Sequence, residues 1–292
     1  LFGDDGLVIV SILLVIASGL THAIWSLFTK SSHNKSVFLW SIIMVTTVIL
    51  LPFLIRELWL HPLSLSSYGL LLLSAAFQSI YALLLARTYN MGDLSQIYPI
   101  MRGTSTLFIP IVGVLFLRET LSIYGWLGLL FMVTGFLALS GIFTGKRSGT
   151  ASRSNIKPFL MALCVGLCTT CYVFVDKLNL QHISAISLLE VTNIGFVAAL
   201  TPIVIASKQL RLEWKLNTRI ILLGAILNPG SYLLFLFAMK YAPVAHISPI
   251  REIGTVFATI LGIVVLKEKQ GKKRITCSIL ITIGILLIGF FG

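Results

Sequence analysis

Apolar residues in this chain run in long unbroken blocks separated by short polar breaks. Ten blocks are readable, at approximately 7–28, 37–55, 66–88, 94–117, 122–142, 158–178, 183–206, 218–240, 243–266 and 273–291. A helix rises about 1.5 Å per residue, so about 20 apolar residues cross the hydrocarbon core of a bilayer. Each block is therefore expected to be one transmembrane helix. A β-barrel does not fit, because barrel strands are about 10 residues long and alternate apolar with polar positions. The first block has no small-residue cleavage site and reads as a true span rather than a signal peptide. The expected fold class is an all-α membrane protein of ten transmembrane helices, with connections too short for a soluble domain.

Composition agrees with this picture. Of 292 residues, 57% are hydrophobic and 11% charged, with a mean hydropathy of +0.98, whereas soluble domains carry about 25% charged residues. The net charge of +12 would suit a nucleic-acid partner, but its distribution argues for a membrane instead. Sixteen of the 22 Lys and Arg residues fall in loops after odd-numbered blocks, among them Lys30, Lys35, Arg87, Lys146, Arg147, Lys208, Lys215 and Lys272. Only Arg56, Arg118, Lys177 and Lys240 fall on the other side, and Arg102 and Arg251 lie within blocks. By the positive-inside rule the odd loops are expected in the cytoplasm and both termini outside, in what we expect to be a bacterial inner (plasma) membrane. The run 267–274 is expected to attract anionic headgroups of the lipid bilayer. Four cysteines make no disulfide framework. Cys164, Cys168 and Cys171 share a face of block six and are expected to be small buried thiols at a helix seam, so no metal and no cofactor are expected.

The chain is written twice. Residues 19–30, "GLTHAIWSLFTK", match 166–177, "GLCTTCYVFVDK", at a constant offset of 147. Arg102, Gly113, Glu119 and Gly135 match Arg251, Gly262, Glu268 and Gly284 at an offset of 149. The basic stretch "GKRSGTASRSNIK" is the seam, giving a first five-helix repeat over 1–147 and a second over 148–292. Five spans per copy is an odd number, so the second copy is expected to enter the membrane inverted. Secondary transporters use such inverted repeats, with a substrate site near the midplane where the repeats meet.

The stretch "YNMGDLSQIYPIMRG" leading into "VLFLRE" resembles the drug/metabolite transporter superfamily, of the EamA type. The resemblance rests on Gly92, Asp93, Leu94, Ser95, Tyr98, Pro99 and Glu119, and it spans essentially the whole chain. The second copy keeps Pro249 and Glu268 but has "APVAH" in place of the Gly-Asp turn. The resemblance implies two five-helix EamA-like repeats and a transport role, without specifying the solute.

Ionisable residues inside spans are costly and usually face a cavity or a partner. Arg102 and Arg251 lie about eight residues into their blocks, about 12 Å deep, and from inverted copies they would bracket a central site. Pro99 and Pro249 sit a turn or less before them and are expected to kink the helices beside a polar cavity. Each arginine could instead be neutralised by a carboxylate. Arg251 and Glu252 point about 100° apart on a helix, so Glu190 is the expected partner from another span. Tyr98, Trp25, Gln78, Tyr81, Tyr172, Asn193 and Tyr232 complete the candidate substrate-binding set. Glu190, His22 and Glu252 are candidates for proton coupling. Glu119 and Glu268 read as structural caps.

These features predict a secondary active transporter of a small organic solute, an amino acid or other anionic or zwitterionic metabolite, working by alternating access. A flippase for a lipid or lipid-linked headgroup is the alternative. No HExxH, nucleophile–base pair or paired catalytic aspartates stand at membrane depth, so an enzyme is not expected. One chain holds both repeats, so a functional monomer is.

Overall fold

The computed structural model describes residues 4–89, 94–140, 157–257 and 272–292. All regular elements among them are helices: α1 (Asp4–Ser31), α2 (Lys35–Leu60), α3 (Leu65–Tyr89), α4 (Leu94–Leu117), α5 (Ile123–Ser140), α6 (Lys157–Asn179), α7 (Ala185–Ser207), α8 (Leu210–Tyr241), α9 (Val244–Arg251) and α10 (Lys272–Phe291). Eight of the described helices, α1 to α8, are long and apolar enough to cross a membrane, and Ile275–Phe291 is a shorter apolar helix. The chain is an integral membrane protein. The expected ninth span is described only to residue 257, and Gly92, Asp93, Gly262, Glu268 and most of the basic seam lie outside the described residues.

The helix pairings obey one exchange rule. α5 packs on α10, α2 on α7, and α4 on α9, each pair joining equivalent elements of the two halves. The contact of α1 with α8 has its counterpart in α6 with α3, that of α4 with α6 in α9 with α1, and that of α2 with α8 in α7 with α3. Exchanging the halves therefore maps these pairings onto one another, while the packing of α7 on α8 has no comparable counterpart between α2 and α3 among the described residues. The α5/α10 seam shows the exchange at atomic detail. A Cβ on Gly128 would lie 2.7 Å from the carbonyl oxygen of Gly284, and one on Gly135 would lie 3.2 Å from that of Cys277. At an offset of 149 these two contacts exchange, and both need the absence of a side chain for the backbones to approach so closely.

Two features depart from the sequence expectation. α8 extends the expected block 218–240 by an N-terminal segment that starts at Leu210 and ends at Asn217, where φ −125° and ψ 20° break the helix. Pro99 and Pro249 were expected to act alike, yet α4 runs unbroken through Pro99 while α9 ends at Arg251. There the backbone tightens: the Glu252 amide bonds to the Pro249 carbonyl and that of Thr255 to the Glu252 carbonyl, both three residues back, in the manner of a 3₁₀ turn.

Carboxylates tie helix ends together. Glu119 accepts from the amides of Val244 at 2.8 Å and Ala245 at 2.7 Å, capping α9 from the end of α4. Glu57 accepts from the amide of Ser184, the α7 N-cap, at 2.8 Å. Glu213 likewise accepts from the amide of Asn34, the α2 N-cap, at 2.7 Å. The two halves thus use the same device at opposite ends of the α2/α7 pair.

Candidate functional site

The site is built from α1, α3, α4, α6, α8 and α9, whose polar side chains meet inside the bundle. Arg102 of α4 is the hub of the first cluster. Its Nη1 donates to Glu252 Oε1 at 3.3 Å, its Nε to the Tyr98 hydroxyl at 3.2 Å, and its Nη2 contacts His22 Nε2. The side chains keep 17% exposure for Arg102 and 9% for Glu252. A guanidinium can only donate, so the His22 nitrogen facing it must act as acceptor. His22 in turn packs edge-on against Trp25, with ring centroids 4.7 Å apart. The second oxygen of Glu252 accepts from the Thr255 hydroxyl at 3.2 Å.

Arg251 is held differently. Its Nε donates to Ser18 Oγ at 3.0 Å, and its guanidinium lies 4.4 Å from the Phe235 ring centroid and 5.6 Å from that of Tyr232. Ser18 donates its own hydroxyl hydrogen bond to the Ser231 carbonyl at 2.6 Å, which leaves a lone pair free for the arginine. Among the described residues no carboxylate lies within 4.0 Å of Arg251, and neither terminal nitrogen has a hydrogen-bond partner. Tyr81, Tyr172 and Tyr232 form an edge-to-face series between the clusters, with centroid separations of 5.4 Å and 5.9 Å.

The structure thus brings His22, Trp25, Tyr81, Tyr98, Arg102, Tyr172, Tyr232, Arg251 and Glu252 into one continuous site. It corrects the expected ion pair: Glu190 does not meet Arg251. The divergence of Arg251 and Glu252 is as expected, but Glu252 turns to Arg102 of the other half. Glu252, a proton-coupling candidate by sequence, is here the partner of a salt bridge. Glu190 is fully buried, and neither carboxylate oxygen makes a hydrogen bond. Trp25 Nε1, Gln78 Oε1 and Asn193 Nδ2 are also buried without hydrogen-bond partners. Gln78, Glu190 and Asn193 lie on the packed α3/α7 pair. Cys168 alone of the block-six thiols is buried, its Sγ against the Phe77 carbonyl at 3.3 Å, while Cys164 and Cys171 are exposed. A groove of about 290 Å³ opens elsewhere, between Trp40, Met44, Val48 and Trp214 of α2 and α8, and contains none of the candidate residues.

Sequence reasoning missed Asp176 of α6. It is fully buried and accepts from the Ser74 hydroxyl and from the Tyr232 phenol. Its signal was a carboxylate within block six. Its neighbour Lys177 does not pair with it, reaching instead to the carbonyls of Met239 and, at 3.0 Å, Ala242, near the C-terminus of α8.

The model of the EamA-like transporter family matches residues 9–141 and, a second time, 156–290. The glucose uptake protein GlcU of Bacillus subtilis (strain 168) is 27% identical over 231 residues, 77% of each chain. A probable glucose uptake protein GlcU of Priestia megaterium is 25% identical over 230 residues, again 77% of each. A putative sugar uptake protein of Lactobacillus johnsonii is 25% identical over 207 residues, 69% of each. A solved crystal structure shares the fold with a TM-score of 0.71, covering 95% of both chains at 12% identity.

Proposed function

The chain belongs to the EamA-like transporter family, and from that premise we propose a secondary active transporter that carries a small organic solute across a bacterial plasma membrane by alternating access. The two halves, 1–147 and 148–292, form one unit in a single chain, inverted about an axis in the membrane plane, with the loops after odd spans cytoplasmic. The observation that carries the substrate reading is Arg251, a guanidinium inside the bundle whose two terminal nitrogens have no partner, and which has no carboxylate in reach, among the described residues. A membrane-embedded charge costs about 3 kcal/mol or more, and a solute carboxylate or phosphate offsets that cost by bidentate pairing. The solute is therefore anionic or zwitterionic, an amino acid or another carboxylate- or phosphate-bearing metabolite. Trp25, Tyr81, Tyr98, Tyr172 and Tyr232 form its walls. Arg102, neutralised by Glu252, is scaffold for that wall. Glu190, a carboxylate buried without a hydrogen bond, is the group for proton coupling.

A second reading has its own support. The relatives are named as sugar uptake proteins, and the row of tyrosines offers flat apolar faces with hydroxyl rims to a neutral sugar. Counterflow in liposomes separates the two, using labelled D-glucuronate, L-alanine and D-glucose with wild type and Arg251→Gln, with and without a pH gradient. Exchange of glucuronate or alanine that disappears in R251Q supports the anionic reading. Exchange of glucose alone, unchanged in R251Q, refutes it in favour of the sugar. Movement of labelled lipid with none of the three would place the protein among flippases.

A further inference from the structure

Arg102 and Arg251 are repeat equivalents, yet their charges are balanced by different means. Arg102 meets Glu252 directly at 3.3 Å. The residue after Arg102 that corresponds to Glu252 is Gly103, so the first repeat offers Arg251 no such acid. What the second repeat has instead is Asp176, where the first has Thr29, at the offset of 147. The Thr29 hydroxyl is spent on the Trp25 carbonyl at 3.1 Å. Asp176 is fully buried, and among the described residues no cation lies within 4.0 Å of it. It accepts a hydrogen bond from the Tyr232 phenol, whose ring centroid lies 5.6 Å from the Arg251 guanidinium, with the Phe235 ring nearer at 4.4 Å.

We infer that Asp176 is the counter-charge and positioning residue of Arg251, acting through Tyr232. A phenol that donates to a carboxylate becomes richer in electrons, which strengthens the attraction of its ring face for a cation. Ser74, the other donor to Asp176, fixes the carboxylate from α3, and Tyr172, one turn earlier on α6, stacks edge-on against Tyr232. The remaining neighbour, Lys177, is committed to the α8 carbonyls. Balancing Arg251 through a ring face rather than by a direct ion pair leaves both terminal nitrogens free for a solute. A direct carboxylate would occupy them, as Glu252 occupies Arg102. The role of the free nitrogens rests on the transport reading above; the charge coupling does not.

The test is a double-mutant cycle on melting temperature, in detergent and without solute. Asp176→Asn is expected to lower the melting temperature, and Asp176→Asn/Arg251→Gln to recover most of that loss, because the uncompensated cation is gone. Asp176→Asn/Arg102→Gln is expected to recover none. Tyr232→Phe keeps the ring but cuts the link, and the loss it causes is expected to be smaller in an R251Q background than in the wild type, which covers the case of a D176N protein that does not fold. Additive losses for both R251Q pairs would overturn the inference, since a purely structural Asp176 is indifferent to the charge at 251. In liposomes, D176N is expected to lower both KM and kcat for D-glucuronate, as a less balanced Arg251 holds the anion longer. Unchanged KM with lower kcat counts against the coupling. Absence of both glucuronate and alanine exchange by the wild type sinks the anionic reading and leaves the melting cycle standing.

Discussion

Glu252→Gln tests whether Arg102 is scaffold. The substitution is isosteric and keeps the oxygen that faces Arg102 Nη1 at 3.3 Å, so it removes charge and little else. At that separation and an effective dielectric of 20, the charge–charge attraction is about 5 kcal/mol. The retained amide oxygen still accepts a hydrogen bond worth about 1 kcal/mol. The side chains keep 17% and 9% exposure, so screening removes a further share, and Tyr98 and His22 continue to hold the other nitrogens. The expected net loss is about 2–3 kcal/mol, below the 3–5 typical of a fully buried pair that loses one partner. For a chain of this size that corresponds to a fall of roughly 5 °C or more in melting temperature. The assay is thermal unfolding in detergent followed by a thiol-reactive dye, with Arg102→Gln/Glu252→Gln as the rescue. Inorganic phosphate is expected to raise the melting temperature of E252Q more than that of the wild type, because Arg102 is freed to bind it. An E252Q protein that melts with the wild type, in buffer without anions, refutes the claim that Glu252 neutralises Arg102.

Three further outcomes follow from packing and capping. In Gly284→Ala the new methyl would lie 2.5 Å from both the Gly128 carbonyl oxygen and Met132 Cγ, so α5 and α10 must separate, at a cost of about 1–3 kcal/mol, read as a lower melting temperature. Gly230→Ala on α8 meets nothing within 4 Å and is expected to match or exceed wild type by up to about 1 kcal/mol from helix propensity; a G230A loss as large as that of G284A would show that contact distances do not set the effect. Glu119→Ala removes both acceptors at the α9 N-terminus and is expected to cost about 1–2 kcal/mol, with amide hydrogen exchange rising first at Val244 and Ala245.

Block periodicity placed the helices well because a transmembrane helix must be apolar over its whole length. α4 ends where its block does, at Leu117. The same rule hid the first turns of α8, since Leu210–Leu216 carries Arg211, Glu213 and Lys215 and forms no apolar block. The arginines were legible because a guanidinium in a span has few excuses, and the repeat doubled the signal. Their partners were less so. A helical wheel shows that Arg251 and Glu252 diverge, but which helix receives Glu252 depends on how α4 and α9 cross. Asp176 escaped for a related reason: its repeat equivalent is Thr29, so comparison of the halves gave no second acid to draw the eye, and a lysine stood beside it.

The helix pairings named above are symmetric and the charge is not. Exchange of the halves preserves the helix pairings and the glycine contacts of the α5/α10 seam, and the caps by Glu57 and Glu213 follow suit. Symmetric packing gives two inverted arrangements of similar energy, which is what a protein that faces two sides in turn requires. A site with two equally neutralised arginines would offer a solute no charge. A site with two unneutralised arginines would carry twice the desolvation cost and repel itself. Placing the acid beside Arg102 at 3.3 Å, and behind the Tyr232 ring for Arg251, keeps the scaffold balanced while one guanidinium stays open. The asymmetry of charge thus lies in a few side chains, Glu252 against Gly103 and Asp176 against Thr29, and on the transport reading proposed above these positions, rather than the helix seams, set the choice of solute.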